Sequence, residues 1–280
     1  MYTIIILFNL AHLVNILLTA IFFYYIISYK LYGVKKVNQR KFNDICDRYN
    51  DNLKERDSIG VLNEKTLHAV LKLYMDDDAK NFQEKKIGSF YADLFNGEEI
   101  CEIQTRDLGK LCKKLEFFLE DYPVTVVHPI AAIKHISWID PKSGEISKPR
   151  KSPLKQGFAH SVRELYRIRD HISHPNLHVK LLLLEVHDYK LKNGYGKDRQ
   201  KRAHRYERFP IGLIDELDLD TPNDYFKIFP SLEGEFCVDE YSKFIGLDKS
   251  KARMAINLMI RLGLAELCGK NKRKYVYRFK

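Results

Sequence analysis

The sequence predicts an α/β chain in which a mixed sheet is flanked by helices, with a shorter helix-and-strand segment at the C-terminus and an apolar run at the N-terminus. Three observations carry this. Apolar residues recur at helical spacing around Leu67–Tyr74 and Leu108–Leu119. Asn96-Gly97 stands between two extended segments, a strong short hairpin signal. The stretches Pro123–His128 and Leu177–Val186, the latter with four consecutive leucines, are strongly apolar, as buried parallel strands are.

A length of 280 residues suffices for one large domain or two modest ones. The formal net charge of +10 points to a polyanionic partner, either nucleic acid or an anionic membrane surface. The five cysteines are an odd number, lie far apart and form no CxxC pair, so neither a zinc ribbon nor a disulfide framework is suggested. They read as reduced thiols in a cytoplasmic setting.

From Tyr2 to Tyr29 no side chain is charged. About 26 residues at 1.5 Å each would cross roughly 30 Å of hydrocarbon. Lys30, Lys35, Lys36, Arg40 and Lys41 follow the run, which sets its N-terminus outside and the remainder in the cytoplasm. A transmembrane anchor over residues 1–30, contacting the membrane through 3–29, is one expectation. The other is an incidental apolar extension from an upstream start codon. Residues 31–58 are polar and asparagine-rich and read as a linker, helical in part.

Asn63 can cap a helix that begins at Glu64 and ends near Asp76, with Leu67, Val70, Leu71 and Tyr74 inward. Glu64 lies near the buried stripe, either favoured there by the helix dipole or held there for function. Two extended segments follow, Lys86–Phe95 and Glu98–Thr105. With Asn96-Gly97 as a two-residue turn, Phe95 pairs with Glu98 and Asp93 faces Ile100. Asp93, Glu102 and Gln104 then share one face, with Asp93 and Glu102 as diagonal neighbours. Two carboxylates so placed can converge on one divalent cation. A helix over Arg106–Glu120 then returns the chain to a strand over Pro123–His128.

These residues resemble the PD-(D/E)XK nuclease core. That family orders a helix with Glu, a strand with Asp, a strand with Glu-x-Lys or Glu-x-Gln, a helix and a further strand. The carried positions are Glu64, Asp93 and Glu102-Ile103-Gln104. The resemblance implies a restriction-endonuclease-like fold in which Asp93 and Glu102 hold magnesium. The third residue helps position the attacking water. Gln104 departs from the majority lysine and supplies no positive charge. Lys110, Lys113 or Lys114 on the following helix would replace it, and Glu64 would hold an outer water or ion. More specifically, Glu64–Lys72, Glu102–Arg106, Val124–Pro129, Trp138–Asp140 and Pro149–Pro153 look like a bacterial family known as a domain of unknown function. That likeness runs from about Ile59 to the C-terminus and excludes the apolar leader.

Trp138–Ile146 reads as a second hairpin around Lys142–Gly144, ending in the basic stretch Lys148–Lys151. A helix is expected over Ser161–Ile172. Lys197, Arg199, Lys201, Arg202, Arg205 and Arg208 crowd a loop beside Tyr195 and Tyr206. That loop suits phosphate contact and base stacking, or is a solvated charge run. The histidines there show no metal-ligand spacing.

Val238–Ile245 is a short amphipathic helix ending at Gly246. A second helix follows, with Ala252, Ala255, Ile256, Met259 and Ile260 inward and Lys249, Lys251, Arg253 and Asn257 outward. Leu262–Leu267 begins a strand, Lys270, Lys272, Arg273 and Lys274 form a basic turn, and Tyr275–Phe279 is its partner. This order resembles a winged helix, which implies DNA binding or protein contact. The organisation expected is an anchor at 1–30, a linker at 31–58, a nuclease-like domain at 59–215 and a winged helix at 216–280. The functional expectation is a magnesium-dependent endodeoxyribonuclease. The alternatives are a DNA-binding regulator with a degenerate nuclease fold and a membrane-tethered adaptor whose winged helix binds protein.

Overall fold

The computed structural model describes residues 38–54, 66–76, 83–192 and 204–280, and these belong to one compact unit that begins at Asn38. The apolar run at 1–30, Glu64, Lys197, Arg199, Lys201 and Arg202 lie outside the described residues. Among the described residues no helix is long and apolar enough to cross a membrane.

Within the linker expected over 31–58, the helical part is present and, contrary to a linker, has a buried face. Helix α1, Gln39–Lys54, buries Phe42, Ile45 and Cys46 at spacings of three and four residues. Phe42 meets Tyr74 of α2 (Thr66–Met75) edge to face at 5.3 Å. The Tyr74 hydroxyl donates to Glu216 at 2.9 Å, which ties both helices to the sheet.

The sheet has seven strands in the described residues, ordered β1-β2-β3-β4-β6-β7, with β5 paired to β4. Lys86–Phe95 is not one extended segment. Strands β1 (Gln83–Ile87) and β2 (Phe90–Phe95) form a hairpin around Gly88-Ser89. Gly88 has φ +56°, and a Cβ there would overlap the Phe117 ring, so this turn requires glycine. Strand β3 (Ile100–Ile103) is antiparallel to β2 and parallel to β4 (Val124–Ile139). Strand β4 continues eleven residues beyond the expected His128, and β5 (Arg150–Lys151) returns along it. Strands β6 (Leu177–Leu191) and β7 (His204–Leu219) complete the sheet, β6 parallel to β4 and β7 antiparallel to β6.

Between β3 and β4 the expected long helix is shorter. A 3-10 turn over Leu108–Leu111 runs into α3 (Cys112–Phe118). The helix expected at Ser161–Ile172 is likewise a 3-10 turn at Phe158–Ser161 followed by α4 (Val162–Arg167). Ile100 packs in one core cluster with Leu111, Leu115 and Val126. Its neighbour Ile103, of opposite parity, is buried outside that cluster, as are Leu67 and Leu71 of α2. Strand alternation therefore separates two layers: α3 and α4 cover one face, α1 and α2 the other.

The boundary expected after residue 215 falls inside β7. Beyond that strand come β8 (Phe236–Cys237), α5 (Val238–Phe244), α6 (Lys249–Arg261) and the pair β9 (Ala265–Asn271) and β10 (Lys274–Phe279). These strands form a three-stranded sheet ordered β8-β10-β9. Tyr225, Phe229, Tyr241, Ala255 and Met259 share the cluster of Ile100 and Leu165, so one core runs through both parts.

Candidate active site

The β2–β3 turn sets the geometry. Asn96 Oδ1 accepts from the backbone N–H of Glu98 at 2.9 Å and of Glu99 at 2.7 Å. This holds four residues out of the ladder, so Phe95 pairs with Ile100 and Leu94 with Cys101, instead of Phe95 with Glu98. The shared face expected for Asp93 and Glu102 is not retained: Asp93 turns to α2 and Glu102 to α3, which cover opposite faces of the sheet. Continuing the register would set Asp93 opposite Glu102, but the ladder stops at Leu94 and Cys101. At that break Asp93 Oδ2 accepts from the Ile103 N–H at 2.8 Å, so a side chain replaces the missing ladder bond.

Each carboxylate is met by a different helix. His68 of α2 places Nε2 3.2 Å from Asp93 Oδ2. Lys114 of α3 donates to both oxygens of Glu102, at 3.0 and 2.9 Å, and to the Tyr91 carbonyl at 2.6 Å. Glu102 is 1 % exposed. Burial, and then the charge of Asp93, push its carboxyl up to about 7 against the pull of Lys114. Burial also raises Asp93. The His68 hydrogen bond, the His68 charge, the Ile103 N–H and Lys114 together outweigh it and hold Asp93 below its ordinary value. Burial and the two carboxylates also push up the Cys101 thiol between them.

The structure thus brings together Asp93, Glu102 and Lys114, and adds His68, which the sequence reading passed over. His68 follows Leu67 on the amphipathic helix, and only the partnership with Asp93 distinguishes it from a solvent-facing residue. Two expected members are not gathered. The Gln104 side chain donates to the carbonyls of Arg106 and, at 3.2 Å, Asp107, capping the loop after β3. Lys110 is exposed on the 3-10 turn. Asp107 sits at φ +53°, and its carbonyl also accepts from the Lys110 N–H at 3.1 Å.

The expected nucleic-acid residues divide similarly. From His204 onward the predicted basic loop is strand β7, so Arg205 is a strand residue. Arg208 is engaged by Asp188 at 2.5 and 2.7 Å. On α6, Lys249 pairs with Asp239 and Lys251 with Asp248. Arg253 is exposed, and Lys272 and Arg273 occupy the exposed turn between β9 and β10. Among the described residues, no group of three or more His, Cys, Asp or Glu side chains is placed to hold a metal ion.

A family model described as "Domain of unknown function (DUF8091)" matches residues 65–220, from the start of α2 to the end of β7. The chain is also 25 % identical over 223 residues to an uncharacterized protein of Treponema pallidum (strain Nichols), covering 79 % of this chain and 87 % of the relative. No solved structure matches the chain.

Proposed function

Since the chain belongs to the DUF8091 family, whose description names no activity, we propose from its own residues that it is a magnesium-dependent nuclease acting on DNA phosphodiester bonds. The observation that carries this reading is the group formed by Asp93, Glu102 and Lys114. Two largely buried carboxylates lie on neighbouring strands, and an ammonium is delivered by the helix that follows the second. The element order α2, β1, β2, β3, α3, β4, with β3 parallel to β4, supports the restriction-endonuclease-like core. Lys114 occupies the role that Gln104 leaves open.

The donor set fits magnesium, which keeps several waters and takes one or two protein carboxylates. Glu102, buried with its acidity weakened by Asp93, is a site that gains from added positive charge. A bound magnesium ion would polarise the phosphodiester and lower the pKa of an attacking water. The protein's part is separate. Lys114 opposes the upward shift of Glu102, and its ammonium, engaged by Glu102 and the Tyr91 carbonyl, would exchange one of these bonds to donate to a water or a phosphate oxygen. His68 and the Ile103 N–H fix Asp93 as an ionised acceptor.

The C-terminal segment supports a winged helix: α5 and α6 are followed by the β9–β10 pair, and the short β8 lies on β10. In this reading Arg253, Lys272 and Arg273 face DNA, while Lys249 and Lys251 first release Asp239 and Asp248.

Full-length protein should nick plasmid DNA with magnesium and not with EDTA. Asp93→Asn and Glu102→Gln should each lower the rate on the order of 100-fold or more while circular dichroism shows a retained fold. One observation favours a second reading, a DNA-binding regulator without cleavage: both carboxylates already have hydrogen-bond partners, and Gln104 is committed to its loop. Wild-type protein that binds DNA and never nicks it would select that reading.

A further inference from the structure

A cleft of about 570 Å³ opens beyond the carboxylate pair, and neither Asp93 nor Glu102 lines it. Glu102 pairs with Val126, and two residues further on the same face of β4 is His128 in the cleft wall, roughly 7 Å along the strand. The walls come from the loop after β3, the middle of β4, the segment from Gln156 to Arg167, β7 and α6. Six lining side chains are cationic (Arg106, Lys134, Arg163, Arg167, Arg208 and Lys251), against the acidic Asp107 and Glu164. His128 adds no charge. Burial lowers its pKa, and its Nδ1 donates to the Gln104 carbonyl at 2.7 Å.

Lys134 is already engaged, and the other five cations fall into two groups. Arg167 is held by Asp107, Arg208 by Asp188 and Lys251 by Asp248, so these shape the walls. Arg106 and Arg163 are exposed and have no ion pair among the described residues. The walls are well fixed. The Leu108 N–H donates to Glu164 at 2.9 Å. In β4, Ala132 is an extra residue between the pairs Ala131–Leu184 and Ile133–Glu185, and its freed carbonyl accepts from the Gln156 N–H at 3.2 Å.

We propose that this cleft seats a backbone phosphate of a bound nucleic acid, gripped by Arg106 and Arg163, next to the phosphate presented to Asp93 and Glu102. The proposal rests on the DNA-directed reading above and adds the place where the strand is held. A nucleic acid fits better than a small free anion because the positive charge does not stop at the cleft. Exposed Lys148, Arg150, Lys151 and Lys155 continue from it, with β5 running along β4 at His135 and Ile136. A track of separated cations matches a repeating phosphate chain. Guanidinium groups at its inner end supply the paired, planar contact that phosphate oxygens accept.

The test is binding of the full chain to a short fluorescent duplex in EDTA across a range of salt. The double variant Arg106→Ala/Arg163→Ala should bind roughly tenfold more weakly, and its salt slope should flatten by about 1.8, two contacts at about 0.9 each. Its melting temperature should match the wild type, and Arg106→Lys/Arg163→Lys should restore most of the slope. An unchanged slope in the folded double variant overturns the proposal. So does calorimetric binding of inorganic phosphate that the double variant loses while its DNA slope stays the same, which would make the cleft a small-anion site. Glu102→Gln separates the two readings, because it should stop cleavage and leave the slope intact. A slope effect in a protein that never cleaves would keep the cleft and discard the nuclease.

Discussion

Glu102 combines near-complete burial, a carboxylate neighbour and a lysine partner, and its titration should be visible in stability. A carboxyl held at about 7 binds its proton more tightly in the folded chain than in the unfolded one, where it ionises near 4.5. Stability should therefore fall as pH rises from about 4.5 to about 7, by on the order of 3 kcal/mol. Asp93 acts in the opposite sense. It is held below its ordinary 3.8, so its contribution is present above that pH and is lost as pH falls through its folded value. Urea midpoints measured against pH should show the first slope in the wild type and lose it in Glu102→Gln. A slope that persists in the variant would place the titration elsewhere. That these two residues stand on neighbouring strands was legible from the hairpin signal, but the face each one takes was not, because the ladder breaks at Asp93 and its side chain turns to α2. Nor were their partners. Lys114 was one of three lysines on its helix, and nothing local marks His68. Gln104 was misplaced because its position in a motif says nothing of the loop carbonyls that its amide satisfies.

At the scale of elements, the clearest differences are the burial of α1, expected as a partly helical linker, and strand β7. In α1 the signal was present: Phe42, Ile45 and Cys46 lie at helical spacing, but Asn38, Asn43, Asn50 and Asn52 dominated the composition. If α1 belongs to the fold, Phe42→Ala should cost about 3–5 kcal/mol, against about 0.5 kcal/mol or less for a linker residue. A urea midpoint equal to the wild type would return the segment to linker status. Strand β7 was hidden for a different reason. Pro210 and Gly212 interrupt its alternation, and proline is tolerated in a strand only at an edge or a bulge. Here both conditions hold. β7 is the last strand of its sheet, and its pairing with β6 shifts register between Glu185 and Val186, at Pro210. The Gly88-Ser89 hairpin could have been found, since a glycine-serine pair between extended segments is itself a turn signal. The second hairpin was only half right. Asp140 and Glu145 close its turn, but the returning chain reaches β4 as an isolated Ile139–Ile146 bridge before β5 forms.

For the whole molecule, the question is whether the C-terminal segment is a domain of its own. The family match delimits one unit, ending at residue 220, just past β7. The packing marks a different unit. Leu165, Ile168 and Leu115 share one core with Tyr225, Phe229, Leu258 and Met259, and Arg261 of α6 pairs with Asp170 at 2.9 Å. Two domains with separate cores would unfold separately, whereas a continuous core predicts a single cooperative transition. Trp138, the chain's one tryptophan, lies on β4 and reports on the sheet. Leu258→Ala, fully buried on α6, should cost about 2–5 kcal/mol. In a single unit that loss must appear in the Trp138 fluorescence transition, shifting its urea midpoint together with the far-ultraviolet circular dichroism signal. In two units the tryptophan midpoint would stay at the wild-type value while the dichroism curve split. A split would also bear on the cleft, because Lys251 of α6 lines it beside residues of β4 and α4. A C-terminal segment that unfolds alone would remove one wall and leave Arg106 and Arg163 to hold a phosphate from one side, with a correspondingly faster release of DNA.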